Sequence, residues 1–338
     1  MSNSSLTTLT TSQDDIATDN NTIEPLDNPA ISASNALPTK PDIDALLDSA
    51  DELPVTWIKE QSQLTPVIEA LKSCGRVALD TEFIKRDTYY PRLALVQINV
   101  GEHIYLLDAP QLQLQDVWQA LSAVDVAIWH ACGEDLGIFY LLSDCPPLTN
   151  IFDTQIALSY LTGQLQMGYQ QALDDQLDMH IDKEQSQSDW LRRPLSDEQE
   201  QYAIDDVRFL PALYLSLEYE LKKQGLYEYV WADCQLYAQE LYDSQQVADE
   251  DMYLTMADYR YDTQQMAILQ AVASWREQLA RATNQPRTFV IKKQAVSPLK
   301  QQLCTIFRAC GAFCPLKQLF SPKNLSRFLA KFPDFYTT

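Results

Sequence analysis

Between residues 76 and 152 the apolar positions gather into short runs, the pattern expected of strands. Val77, Ala78 and Leu79 run straight into Asp80 and Glu82, so 76–83 is predicted as a buried strand. Arg92 to Val100, with Leu93, Leu95, Val96 and Ile98, reads as a second strand. His103 to Leu107, after the turn signal Gly101-Glu102, reads as a third. These three are expected to form an antiparallel meander. Helices are predicted over 63–73 and 111–122, a fourth strand over Val124 to Trp129, a helix over Gly133 to Leu142, and a short fifth strand at Ile151-Phe152. From 154 to about 223 the pattern is mostly helical, and Ser196-Asp-Glu-Gln199 has the form of a capping box that starts a helix. Strands first, with helices between and after them, predict an α/β fold built on a mixed sheet with flanking helices.

The ends of the chain differ from this middle. Residues 1–54 are rich in Ser, Thr, Asn, Asp and Pro, lack aromatic residues and carry a net charge of −9; they are expected to form a disordered acidic tail. Order is expected to begin near Trp57. Residues 221–260 are expected as a helical linker and 261–338 as a small helical domain, its first helix the amphipathic stretch Ile268 to Arg281. With 338 residues there is room for about two domains plus tails.

Charge modifies the picture. The total is −22, which by itself argues against a nucleic-acid partner. Yet 261–338 carries a net +8, leaving −21 in the middle, so the distribution points the other way. The seven cysteines are scattered without a CxxC pair, which argues against a disulfide framework and for the reducing cytoplasm. Cys304, Cys310 and Cys314 cluster, but no histidine follows Val290, and apolar helix positions explain them better than zinc. No apolar run reaches transmembrane length, and the N-terminus lacks the basic and apolar regions of a signal peptide.

Candidate chemistry sits at strand ends. Asp80 and Glu82 fall on one face of a strand, roughly 7 Å apart by strand rise. Two such carboxylates suit a divalent cation, although solvated acids at a strand end give the same pattern. His130-Ala-Cys-Gly-Glu-Asp135 stands at the exit of the fourth strand, where open α/β sheets gather their sites. Glu134 and Asp135 there also suit a helix N-terminus, and His130 reads as packed or hydrogen-bonded. Tyr202 and Asp206, four apart, share one face of the capping-box helix, whereas Asp205 is rotated about 100° away, towards solvent. Lys85 to Pro91 is a polar turn whose Tyr89 and Tyr90, with Phe83, suit either stacking on bases or turn packing.

Taken together, Asp80-Thr-Glu82-Phe, His130 to Leu136 and Tyr202-Ala-Ile-Asp-Asp206 resemble the three motifs of the DEDD exonucleases, tyrosine subtype. The connecting text resembles the ribonuclease D family within them: Thr88-Tyr-Tyr-Pro91, Leu93 to Gln97-Ile, Asp182-Lys through Ser188-Asp-Trp190, and Arg193-Pro-Leu195. The likeness covers about 55–220 and implies a ribonuclease H-like exonuclease domain. Residues 261–338 resemble one HRDC module, a likeness that weakens after Ser297. Members of the family commonly carry two such modules.

The resemblance implies a metal-dependent 3′→5′ exoribonuclease that releases 5′-mononucleotides from RNA 3′ ends, such as those of tRNA precursors, with no membrane partner. It implies two ions, Mg²⁺ or Mn²⁺. Asp80 would bridge both, Glu82 and Asp206 would complete the first, and Asp135 would hold the second partly through water. Tyr202 would orient the attacking water together with Glu82. The basic 261–338 segment would supply phosphate contacts. Two other readings remain: the same chemistry on single-stranded DNA, and a catalytically silent nucleic-acid-binding scaffold.

Overall fold

The computed structural model describes residues 39–181 and 188–290. The expected tail up to residue 38, the Asp182 to Gln187 part of the connecting text, the three clustered cysteines and the HRDC-like segment beyond Val290 lie outside these residues. Six strands form one mixed sheet: β1 (Val55–Ile58), β2 (Arg76–Ile84), β3 (Arg92–Asn99), β4 (Ile104–Asp108), β5 (Val126–Trp129) and β6 (Ile151–Asp153). Their spatial order is β1-β4-β3-β2-β5-β6. β2, β3 and β4 pair antiparallel in sequence, the expected meander. β5 joins β2 in parallel, β6 joins β5 in parallel, and β1 runs parallel to β4 at the far edge. All residues of β5 and β6 are buried, as parallel strands covered on both faces must be.

The helices that cover the sheet are α1 (Lys40–Ala50), α2 (Leu64–Ser73), α3 (Gln115–Leu121), α4 (Gly133–Ser143), α5 (Thr154–Thr162), α6 (Tyr169–Leu177), α7 (Asp197–Arg208), α8 (Leu210–Gln224) and α9 (Tyr227–Gln245). The sheet has two cores. Val77, Leu79, Val96, Ile98 and Leu107 join the large one, which includes residues of α2, α3, α4, α8 and α9. Leu95, Ile104 and Leu106 join a smaller one beneath Ala203, Ile204 and Val207 of α7. Ile104 and Leu106 face one side of β4 and Leu107 the other, following the two-residue period of a strand.

Several elements differ from expectation. Residues 40–50, assigned to the disordered tail, form α1: Thr39 and Asp42 make a capping box, Pro41 lies in its first turn, and Ala50 is buried. The overall polarity of 1–54 conceals the local Ile43, Leu46, Leu47, Ala50 spacing that packs on the large core. β1 went unread because four residues carry too little periodicity; its pairing with β4 is non-local. The helix expected over 111–122 begins only at Gln115, after a 3₁₀ turn at Ala109–Gln111 that contains Pro110. Within the expected linker, α9 buries Val230, Trp231, Cys234 and Ala238 against β6 and α4, so it is part of the core. A short 3₁₀ segment, Met252–Met256, then packs on α10 (Thr263–Thr283), which α11 (Arg287–Val290) follows. Among the described residues no helix is long and apolar enough to cross a membrane.

Candidate active site

Asp80 and Glu82 project from the C-terminal half of β2, before a register shift between Glu82 and Phe83. Asp206 arrives from α7. One carboxylate oxygen from each of the three lies within 4.8 Å of the others. Their elements make this possible. Alternation along β2 puts positions 80 and 82 on one face. α7 is fixed over that face at both ends. Before it, Arg193 bonds Asp108 at 2.6 Å and the carbonyls of Ala94 (2.8 Å) and Trp190 (2.6 Å). Ser196 accepts from the Gln199 backbone at 3.2 Å while Gln199 accepts from that of Ser196 at 3.1 Å, the capping box read from the sequence. Beyond it, the Asn99 amide donates to the carbonyl of Val207 at 2.9 Å. The Ser188-to-Leu195 text therefore serves to seat α7, with Trp190 buried against the Tyr202 ring at 5.9 Å between centroids.

Tyr202 lies one turn before Asp206 on α7, close enough to feel its carboxylate. Burial and the carboxylates of Asp206, Glu82 and Asp80 hold the phenol well above its ordinary range, so it stays protonated. Asp205 does not face open solvent as expected: Gln201 donates to it at 2.9 Å, Arg208 lies at 3.4 Å, and its side chain is 19 % exposed.

Asp135 enters from the first turn of α4, and its buried carboxylate accepts a hydrogen bond from Thr81. It stands outside the tight trio but close enough to raise the carboxyls of both Asp80 and Glu82. Two residues missed from the sequence position it. Asp153, 1 % exposed, accepts from the backbone of Ala131 (3.1 Å) and Cys132 (2.8 Å) and caps α5 through Gln155 (2.8 Å). Ala131 has φ +61°, an uncommon conformation for a side-chain-bearing residue, and the Asp153 bonds hold it there. Thr81 is the other. Tyr169, partly buried, also feels the charges of Asp206 and Asp80. His130 is hydrogen-bonded as expected, through Nδ1 to Thr154 at 2.8 Å and Nε2 to the carbonyl of Met167 at 3.0 Å.

The carboxyls of the cluster work against one another's charge. Burial, then Asp206, Asp135 and Glu82, push the Asp80 carboxyl well up. Burial, then Asp206 and Asp135, push Glu82 up to about 9. Burial raises Asp135 to about 6, against the opposing Thr81 bond. Gln97, directly opposite Asp80 across the ladder, is fully buried, and neither atom of its amide has a hydrogen-bond partner among the described residues. A donor set of oxygens only, converging and driven towards protonation, fits a hard divalent cation.

A mixed six-stranded sheet with flanking helices, carrying acids on its central strand and on two covering helices, defines the ribonuclease H-like exonuclease fold. The family model described as 3′-5′ exonuclease matches residues 55–222. The chain is 33 % identical over 253 residues to ribonuclease D of Pseudomonas paraeruginosa, covering 74 % of this chain and 66 % of that one. It is 32 % identical over 286 residues to ribonuclease D of Xanthomonas oryzae pv. oryzae, covering 82 % of this chain and 72 % of that one. The crystal structure of Escherichia coli RNase D, an exoribonuclease involved in structured RNA processing, superposes with a TM-score of 0.68 at 28 % identity, covering 82 % of this chain and 73 % of that one. The chain belongs to the ribonuclease D family. It spans just under two thirds of the length of the Pseudomonas relative.

Proposed function

We propose that this protein is a metal-dependent 3′→5′ exoribonuclease that removes 5′-mononucleotides from RNA 3′ ends, with tRNA precursors as substrates. The observation that carries the reading is the convergence of Asp80, Glu82 and Asp206 within 4.8 Å, with Asp135 beside them and Tyr202 one turn before Asp206 on α7. Asp80, Glu82 and Asp206 would hold one Mg²⁺ or Mn²⁺, and Asp80 with Asp135 a second. When bound, such ions lower the pKa of the attacking water and neutralise charge at the phosphoryl and leaving oxygens. Tyr202, protonated at neutral pH, has a hydroxyl that can fix the orientation of that water beside Glu82. Thr81, hydrogen-bonded to Asp135, would hold that carboxylate in place. The segment from 261 is read as an HRDC-like nucleic-acid contact.

The test uses a 5′-labelled RNA with a single-stranded 3′ tail, incubated with Mg²⁺ or Mn²⁺, with EDTA, and with Asp80→Ala. A ladder shortening from the 3′ end, lost with EDTA and with the variant, is the expected result. Intact RNA beside shortened DNA of the same sequence would overturn the substrate. Binding without shortening of either would overturn the activity.

A further inference from the structure

The helix that carries Asp206 breaks just beyond it. α7 stops at Arg208 and α8 starts at Leu210, with Phe209 between them. Pro211, in the first turn of α8, has no backbone N–H, so the carbonyl of Val207 cannot take its usual donor four residues on. A break of this kind leaves the last carbonyls of α7 to be met from outside the helix. Two side chains meet them. Asn99, at the end of β3, donates to the carbonyls of Val207 at 2.9 Å and Arg208 at 3.4 Å. The hydroxyl of Tyr169, the first residue of α6, donates to the carbonyl of Asp205 at 3.3 Å. The Phe209 backbone lies beside the same hydroxyl. The carbonyls on either side of Asp206 are thus both pinned by other elements of the fold.

Tyr169 is itself held in place. Its ring packs on the ring of His130, 5.4 Å between centroids. A carbonyl can only accept, so His130 Nε2 donates to that of Met167 at 3.0 Å, and the Gln155 amide donates to the same carbonyl at 2.9 Å. Met167, two residues before Tyr169, is buried, so these bonds fix the connection from α5 that delivers Tyr169. His130 Nδ1 is anchored to Thr154 at 2.8 Å. A chain of contacts therefore runs from His130, at the exit of β5, through Tyr169 to the turn of α7 that carries Asp206. The two ends of this chain belong to different sequence motifs of the site.

We infer that Tyr169 is a positioning residue for Asp206: its hydroxyl, with Asn99 on the far side, clamps the turn of α7 that presents this carboxylate to Asp80 and Glu82, and His130 serves the site by holding Tyr169. The inference rests on the exonuclease reading for its effect on turnover. It rests on the geometry of α7 alone for its effect on the helix and on cation binding.

The test compares the full chain with Y169F, H130A and the double variant. Y169F keeps the ring and removes only the hydroxyl. In the metal-free protein, backbone hydrogen exchange over 206–210 is expected to quicken about fivefold, the loss of one hydrogen bond. Calorimetric affinity for Mn²⁺ is expected to fall by about the same factor. On a single-stranded 12-nucleotide RNA, kcat at fixed Mn²⁺ should fall with KM unchanged, and excess Mn²⁺ should restore it. A packing role alone would lower stability without moving the Mn²⁺ affinity. H130A is expected to lose affinity in the same direction, and the double variant to lose less than the sum of the two. Unchanged exchange or Mn²⁺ affinity in Y169F, or a kcat that excess Mn²⁺ does not restore, would overturn the inference. Fully additive losses would overturn the part given to His130. A wild type that leaves RNA intact would sink the exonuclease reading, and exchange and affinity would still decide the role of Tyr169. Should Y169F fail to fold by circular dichroism, H130Q beside H130A decides. H130Q keeps a donor for the Met167 carbonyl and is expected to retain more Mn²⁺ affinity, and wild-type affinity in both would overturn the inference.

Discussion

At the residue scale, the site works against the fold that holds it. Glu82, pushed up to about 9 by burial and by Asp206 and Asp135, keeps a proton in the folded chain that the unfolded chain has released. The folded state thus binds more protons, and stability falls as pH rises from the ordinary glutamate value of 4.5 towards 9. In EDTA, the urea midpoint is expected to be lower at pH 8 than at pH 5.5. Coordination requires the carboxylates deprotonated, so adding Mg²⁺ or Mn²⁺ at pH 7.5 is expected to release protons, read from calorimetric enthalpies in buffers of different ionisation heat. Glu82→Gln should stabilise the metal-free protein at pH 8 by roughly 1 kcal/mol or more while abolishing turnover. A metal-free midpoint that does not move with pH would refute this account. The acids and the tyrosine could be picked out as candidates from the sequence because their residue types and spacings are local to the chain, and the structure brings Asp80, Glu82 and Asp206 together. Thr81 and Asp153 were not, since a threonine or an aspartate at a strand end looks ordinary until its partner, 54 or 21 residues away, is known.

At the element scale, the placement of Asp135 depends on a turn the chain would not hold by itself. Ala131 at φ +61° launches α4, and Asp153 binds its N–H together with that of Cys132. Asp153→Ala leaves buried donors unpaired and is expected to cost about 2–3 kcal/mol in urea denaturation. It should also shrink the thermal shift produced by Mn²⁺, because Asp135 no longer has a fixed approach. Asp153→Asn, which keeps an acceptor oxygen, should lose less on both measures, and an equal loss would show that charge rather than the turn matters. The capping boxes of α7 and α1 are both local signals. The first was legible beside a strong helical pattern, whereas the second sits in a stretch whose average polarity conceals it.

At the scale of the whole molecule, the turn that carries Tyr89 shares one hydrogen-bond network with α10 and α11, and its hub, Glu277, is buried. Tyr89→Phe removes a donor from Glu277 and an acceptor from Arg281 and Arg287. Hydrogen exchange across 263–290 is expected to quicken by the equivalent of about 1–3 kcal/mol, with dinucleotide hydrolysis unchanged. Exchange identical to wild type would mean the network does not hold the helices in place. The sequence by itself determined the strands β2 to β6, the meander and the capping-box helix, and it named five candidate site residues, because periodicity, caps and motif spacing are local properties of the chain. Only the tertiary structure decided that α1 and α9 belong to the core, that β1 joins the sheet, that Asp153 and Thr81 set Asp135, and that Tyr89 is bonded to Glu277 and Arg281 of α10 and Arg287 of α11. Each of these rests on contacts between residues far apart in sequence, whose partners no local pattern names.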